Sequence, residues 1–361
     1  MKKNIAIVAG GDSSEYEVSL RSAAGIYAFM DKERYDITVV CLHGLCWKAA
    51  ASYQGEGAIT SYTDPANKIE WVDMDRNDFS YEYAGQKHRF DFAYITIHGT
   101  PGENGILQGY FDLIHLPYSC CGVLPAALTF NKFACNHYLS GFGIHIAASL
   151  LLRKGECIED NEVVAKIGLP CFIKSNVGGS SFGCTKVKTP EQIQPAIEAA
   201  FAEGDEVIIE AFMGGTEITC GVYRTREKEV AFPITEVVNH CEFFDYDSKY
   251  NGLADEITPA RIPDAVRDAV QALTLRIHKL LGCKGIIRTD YILEPTNLPD
   301  DPNAHILSGY QIMLLEVNTT PGMTASSFIP QQVRAAGLEM KQVLTDIIED
   351  SFRLRTFRGV R

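Results

Sequence analysis

Two blocks in the last third of the chain carry side chains able to hold a metal ion against phosphate: Arg288-Thr-Asp290, and Glu316-Val-Asn318-Thr-Thr-Pro321-Gly322. Both lie in apolar, strand-like stretches, Gly285–Leu293 and Gln311–Asn318. Side chains alternate faces along a strand, so Arg288 shares a face with Asp290, and Glu316 with Asn318. The stretch between them, Glu294–Gly309, is rich in Pro, Asn and Asp and reads as a loop, so the two strands can pair. Pairing gathers two carboxylates, an amide oxygen and a guanidinium. Hard oxygen donors of this kind suit Mg²⁺, which usually binds through a few carboxylates plus the phosphates of a nucleotide. A surface ion pair is the plainer alternative. The apolar flanks weigh against it, because an unpaired charge is costly where it is part-buried.

A phosphate site also needs cations and turned-in backbone amides. Lys174-Ser-Asn-Val-Gly178-Gly179-Ser180-Ser181-Phe-Gly183 supplies both, between a strand ending at Lys174 and a second strand Cys184–Val187. Glycines let N–H groups turn toward an anion, and hydroxyls add donors. No Gly-Lys-Ser/Thr follows in register, so this is not a Walker loop. A bland hairpin turn would explain the glycines alone; Lys132, Lys174 and the acidic cluster together favour phosphate. Glu210-Ala211-Phe212-Met213 ends another strand and offers backbone groups to an adenine edge, and Glu217 after Gly214-Gly215 could meet ribose hydroxyls. Gly10-Gly11 follows the first strand but lacks the dinucleotide fingerprint.

These residues need a framework. The first third alternates strand Ile5–Ala9, helix Val18–Met30 with a Ser14-x-x-Glu17 capping box, and strands Tyr35–Leu42 and Phe90–Ile97, followed by helix Gly105–His115. That order predicts a parallel, doubly wound unit. Ala50–Lys87 reads as an added hairpin or loop region. Further on come helix Ala126–Leu139 carrying Lys132, a helix end at Val163–Gly168, strand Pro170–Lys174, helix Thr189–Glu203 and strand Glu206–Phe212. Strands Ile218–Tyr223 and Glu229–Thr235 precede helices Pro263–Leu281 and Glu339–Phe352. The expected class is α/β and multidomain, with units 1–120, 121–216 and 217–361.

Composition narrows the function. The 361 residues, 46% hydrophobic and 22% charged, are those of an ordinary globular protein with two or three domains. A net charge of -13 without a long basic run argues against nucleic acid. The 11 cysteines are scattered, with no Cys-x-x-Cys, which suggests reduced thiols. The N-terminal apolar run is too short for a signal and no segment approaches a membrane span, so a cytoplasmic enzyme without a membrane partner is expected.

The motifs in order resemble those of the D-alanine–D-alanine ligases of the ATP-grasp superfamily. They are Gly10-Gly11-Asp-Ser-Ser-Glu15-Tyr-Glu-Val-Ser19, His98-Gly99-x-x-Gly102-Glu103-Asn-Gly105-x-x-Gln108-Gly109, the Lys174–Gly183 loop, Asp245-Tyr-Asp-Ser-Lys249-Tyr250, and Arg288-x-Asp290 with Glu316–Ser327. The resemblance covers almost the whole chain and implies an ATP-grasp fold with an N-terminal Rossmann-like domain. It implies ligation of two D-alanines through an acylphosphate, with two Mg²⁺ ions that Mn²⁺ can replace, and a homodimer. By resemblance Lys132, Lys174 and Ser181 bind ATP phosphates, Lys249 neutralises the transferring phosphoryl, and Glu210, Ala211, Phe212, Met213 and Glu217 hold the nucleoside. Asp290, Glu316 and Asn318 match metal ligands, while Arg288 and the amide of Gly322 match the oxyanion donors. Glu15 matches the partner of the first alanine's ammonium, His98 lies near its carboxylate, and Ser180 and Tyr250 join Glu15 in a lid. Ser327 and the amide of Phe328 match the holders of the second alanine's carboxylate.

Taken alone, His98 could cap a strand end, Tyr250 could be a loop tyrosine, and Glu15 could serve the helix dipole. The sequence departs from the family pattern at Ser175-Asn176-Val177, at Phe244 and at Asn104. Tyr250 favours D-alanine as acceptor. D-Ser or D-lactate as acceptor, a non-catalytic ATP-binding regulator and, least well supported, a nicotinamide dehydrogenase are the alternatives.

Overall fold

The computed structural model describes residues 2–55, 57–59, 61, 63–64, 68–178, 183–239, 254–301, 303 and 305–358. Three sheets organise them. In the first, Lys3–Gly10 runs parallel to Tyr35–His43 on one side and to Phe92–Ile95 on the other. This is the expected β–α–β core, with Ile5, Ile7, Val39 and Phe92 fully buried. The sheet then continues antiparallel through Cys46–Ala50, Trp71–Asp75, Ser80–Tyr83 and Gln86–His88. The stretch read as an added hairpin or loop region thus contains hairpin strands that extend the sheet, stapled by the edge-to-face rings of Trp47, Phe79 and Tyr110.

The second sheet is antiparallel, in the order Thr185–Val187, Cys171–Ser175, Glu206–Ala211, Ser149–Arg153. Its inner residues, Cys171, Ile173, Val207 and Ile209, pack on helix Ile193–Phe201 through Ile193, Ala196 and Ala200. The third sheet is centred on Gly285–Pro295, flanked by Thr216–Arg224 and Tyr310–Asn318. Helix Asp264–Leu280 covers one face with Val266, Val270 and Ile277, and the Tyr291 hydroxyl, fully buried, meets Thr274 Oγ1 at 2.8 Å. The last helix, Met340–Arg358, shares a core with the first sheet: Val343, Leu344 and Ile348 join Ile26, Tyr27 and Phe92. Tyr35 donates to Glu349 Oε1 at 2.8 Å across that contact. Tyr223 and Ile286 of the third sheet belong to the same core, so chain beginning and chain end join the first and third sheets.

Three local expectations fail for physical reasons. The expected strand Glu229–Thr235 is two, Glu229–Ala231 and Thr235–Asn239, parted at Pro233, which has no N–H for a ladder. The expected single helix over Ala126–Leu139 is two, Val123–Phe130 and Lys132–Ser140, because Asn131 leaves helical geometry and accepts a hydrogen bond from Ala134 N–H as an N-cap. The Ser14/Glu17 capping box does not form. The helix starts at Tyr16, and no side chain caps it. Ser13 Oγ instead accepts from Glu15 N–H at 3.2 Å and donates to the His98 carbonyl at 2.8 Å, tying two cleft loops together.

Candidate active site

Arg288 and Asn318 face each other in register, as do Asp290 and Glu316, so the predicted strand pair exists. Beyond Asp290 the register shifts, because Leu315 is an extra residue opposite Asp290 and Tyr291. Such a bulge re-aims a side chain, and Leu315 lines the cleft while its carbonyl accepts from Asn136 Nδ2. Asp290 is the hub. Its Oδ1 accepts from Arg288 Nε at 2.9 Å and Thr219 Oγ1 at 2.5 Å; its Oδ2 accepts from Arg288 Nη2 at 2.8 Å and Asn318 Nδ2 at 3.1 Å. Burial works against the Arg288 charge, but Asp290 and then Glu316 outweigh it and hold the guanidinium firmly protonated. The Phe328 ring lies 5.2 Å beneath that guanidinium.

The cations arrive from the second sheet and the helix beside it. Lys132 opens its helix; its Nζ donates to the Gly178 carbonyl and stands 3.8 Å from Glu316 Oε2. Asn176, just past Lys174, fixes this helix start by accepting from Phe133 N–H at 2.9 Å. Lys174 is paired with the buried carboxylate of Glu210 at 2.5 Å. Desolvation lowers the Lys174 pKa, yet Glu210 more than offsets it, so the net direction is upward. Glu210 and Ala211 stand behind the cleft lining, whereas Phe212 and Met213 line it. The amides of Ala211 and Phe212 are used internally, on Ala148 O and Pro170 O. Lys186 Nζ sits 4.0 Å over the Phe212 ring, and Phe172 lies beside it, making a half-apolar slot. Glu217 lines the cleft from the third sheet.

Across the cleft, the first sheet presents Glu15 and His98, both nearly buried. Ser22 Oγ lies 3.4 Å from His98 Nε2 and accepts from Met323 N–H at 3.4 Å, joining the His98 loop to the Thr319–Met323 turn. Gly25 lets helix Tyr16–Phe29 touch that turn, since a Cβ there would come 2.4 Å from the Met323 carbonyl. Ser327 Oγ bonds Thr324 Oγ1 at 2.7 Å, and Gly322 packs against it.

Glu103 is a cleft residue to which the sequence reading gave no role. Its Oε2 accepts from Gly99 N–H at 2.7 Å and its Oε1 from Thr320 Oγ1 at 2.6 Å. Desolvation raises its pKa, against a lowering by His98. The signal available was an acid in a Gly-rich turn, where Gly102 is forced by the Ile97 carbonyl only 2.3 Å from any Cβ. Thr219 and Lys186 were also missed; neither belongs to a recognisable motif. Ser180, Ser181, Lys249 and Tyr250 lie outside the described residues.

The cleft these walls enclose has a volume of about 1170 Å³. Donors of both metal and phosphate character line one side, and a buried acid and histidine line the other. Among the described residues no cluster of three His, Cys, Asp or Glu side chains could hold a metal ion. Two carboxylates and an amide oxygen nevertheless fit Mg²⁺, which completes its shell with water and phosphate.

Two sheets gripping a cleft lined by lysines and carboxylates, with a third sheet closing its far side, define an ATP-grasp ligase architecture. The D-ala D-ala ligase N-terminus family matches residues 4–121 and the D-ala D-ala ligase C-terminus family matches residues 138–349, so the chain belongs to the D-alanine–D-alanine ligase family. It is 61% identical over 352 residues to the D-alanine–D-alanine ligase of Bacteroides fragilis, covering 98% of this chain and 100% of that protein. The Porphyromonas gingivalis ligase is 50% identical over 97% of this chain and 98% of its own length. Among solved structures, the VanG D-Ala:D-Ser ligase of Enterococcus faecalis superposes with a TM-score of 0.80 at 30% identity, covering 97% of this chain and 100% of that one. The Bacillus anthracis D-alanine–D-alanine ligase complexed with ATP gives 0.72 at 25% identity, covering 99% of this chain and 100% of its own.

Proposed function

We propose that this chain joins two D-alanines into D-alanyl-D-alanine at the expense of ATP, through an acylphosphate, as a step in peptidoglycan precursor synthesis. The observation that carries the reading is the Asp290-centred network of Arg288, Asn318 and Thr219, facing Glu15 and His98 across one cleft. A carboxylate is a poor electrophile, so the first D-alanine must be activated. One of its oxygens attacks the γ-phosphorus, and ADP leaves with the electron pair of the broken P–O bond. Lys132 and Lys174 offset phosphate charge and the Ser181 hydroxyl donates to phosphate, with Lys249 at the transferring group. Phe212, Met213 and Glu217 form the nucleoside wall, with Glu210 and Ala211 behind it, Glu210 holding Lys174 in place.

Asp290, Glu316 and Asn318 would hold two Mg²⁺ ions, replaceable by Mn²⁺, whose chemistry is neutralisation and alignment of the phosphates. Glu15 holds the first alanine's ammonium and His98 lies by its carboxylate. The second alanine's carboxylate rests on Ser327 and the Phe328 amide. Its amine attacks the acyl carbon, and the oxyanion forms against Arg288 and the Gly322 N–H. Donors already fixed where charge develops are worth about 10²–10³ in rate each. Glu15, Ser180 and Tyr250 close a lid that keeps water from the acylphosphate. Units 1–120, 121–216 and 217–361, a homodimer and a cytoplasmic location complete the proposal. No helix among the described residues is long and apolar enough to cross a membrane.

Incubation with ATP, Mg²⁺ and D-alanine should release one phosphate per D-Ala-D-Ala, seen by mass spectrometry, and none with L-alanine. D-Ser or D-lactate products in competition would reassign the acceptor. ATP binding without any product would overturn the enzymatic reading. Glu316→Gln should bind nucleotide weakly and abolish turnover; a near-native rate would remove Glu316 from the metal.

A further inference from the structure

Beyond Arg288, on the edge strand Ala254–Ile257 of the third sheet, Glu256 lines the same cleft. The other acids at this end are committed. Asp290 is paired with Arg288 and accepts from Thr219 and Asn318, and Glu236 is clamped by Arg261 through Nη2 at 2.7 Å and Nε at 3.0 Å. Among the described residues Glu256 has no ion-pair partner. Its Oε2 accepts from the neutral amide of Gln331 at 2.5 Å, and the same Nε2 donates to the Ser326 carbonyl at 2.6 Å. One side chain therefore ties Glu256 to the turn that carries Ser327 and Phe328.

An amino acid whose carboxylate rests on Ser327 and Phe328 must bring its nitrogen toward the acyl carbon, beside Arg288. A protonated amine would be repelled there by the guanidinium, and the amine cannot attack until it has lost a proton. A carboxylate on the acceptor's side of Arg288 answers both demands. Unlike Asp290 and Glu236, Glu256 is bonded to a neutral amide. Resting on the ligase reading above, we propose that Glu256 recognises the α-ammonium of the acceptor amino acid and takes one of its protons before the amide forms. Glu256 takes one proton from the ammonium before attack; the freed nitrogen pair then forms the C–N bond while the carbonyl π pair becomes the oxyanion, and the second N–H proton leaves with the phosphate. Collapse then expels phosphate with the C–O pair. Partial desolvation on the cleft side raises the Glu256 pKa, against a lowering by Arg288, which brings the carboxylate nearer in basicity to the amine it serves.

The test is steady-state kinetics of wild type, Glu256→Gln and Glu256→Asp, with D-alanine varied over separate donor and acceptor ranges and D-lactate as an acceptor lacking an ammonium. Glu256→Gln keeps a group of the same shape beside Gln331, so thermal melting should match wild type. Its KM for acceptor D-alanine should rise at least tenfold with KM for ATP and donor unchanged. The acidic limb of its kcat/KM profile should vanish, and Glu256→Asp should restore part of both. The ratio of D-lactate to D-alanine product should rise in Glu256→Gln. Equal acceptor KM and an unchanged pH limb, in protein whose wild type makes dipeptide, would overturn the assignment. A wild type that makes no dipeptide would sink the ligase reading instead.

Discussion

Asp290→Asn removes one negative charge from the hub of the site and leaves its shape. In the native chain Asp290 accepts four hydrogen bonds, two of them from Arg288, and both side chains are largely withdrawn from water, 18% and 8% exposed. Breaking a buried pair by removing one partner costs about 3–5 kcal/mol, because the remaining charge is left uncompensated. The asparagine still accepts from Arg288 or Thr219 through its carbonyl oxygen, and Glu316 still attracts the guanidinium, so the low end, about 3 kcal/mol, is expected. Its amide nitrogen, however, must face donors: Asn318 Nδ2 and Arg288 Nη2 now meet an N–H. Arg288 should therefore swing off its aim, at a cost of about 10²–10³ in rate for an oxyanion donor. On the proposed metal assignment, loss of a ligand would add to that. Urea unfolding gives the first quantity and phosphate release under saturating D-alanine and ATP the second. Stability within about 0.5 kcal/mol of wild type, together with a rate within tenfold, would refute the argument that Asp290 positions Arg288.

Three further outcomes are expected. Gly25→Ala drives a Cβ into the Met323 carbonyl, 2.4 Å away, so it should cost about 1–3 kcal/mol and raise KM for the acceptor by moving the turn before Ser327; a neutral melting shift and unchanged KM would contradict it. Glu103 has a folded pKa raised by desolvation, so between its unfolded and folded values the native state holds a proton the unfolded chain has lost, and stability falls as pH rises through that window. Glu103→Gln should flatten this slope in denaturant midpoints taken from pH 4 upward; an unchanged slope would show that Glu103 does not set it. Burial lowers His278 from 6.5 to about 4, so the unfolded chain binds a proton the native state refuses, and stability should drop by up to about 3 kcal/mol as pH falls from 6.5 to 4. His278→Gln should lose that dependence, which the same titration would read.

Local pattern made much of the site legible. Alternation in Gly285–Pro295 and Tyr310–Asn318 was enough to place Arg288, Asp290, Glu316 and Asn318 on one face, and the two strands pair there. The bulge at Leu315 had no sequence mark, because one extra residue in an apolar run changes no periodicity. Asn131 did carry a mark: a strong N-cap residue inside a presumed helix, overridden in the reading by the apolar spacing around it. The strands Trp71–Asp75, Ser80–Tyr83 and Gln86–His88 are only three to five residues long, too short for their alternation to stand out from the polar stretches around them. Glu103 and Glu256 were invisible as functional residues for a different reason. Their partners, Thr320 and Gln331, are 217 and 75 residues away, and only the packed fold brings them to one cleft.

In the acylphosphate route a carboxylate of one D-alanine is phosphorylated before the peptide bond forms. D-alanine carrying ¹⁸O in both carboxylate oxygens, turned over with ATP and Mg²⁺, tests this in one mass spectrum. One ¹⁸O is expected in each inorganic phosphate released and one in the new amide carbonyl. Phosphate free of ¹⁸O, or label carried into AMP, would contradict it.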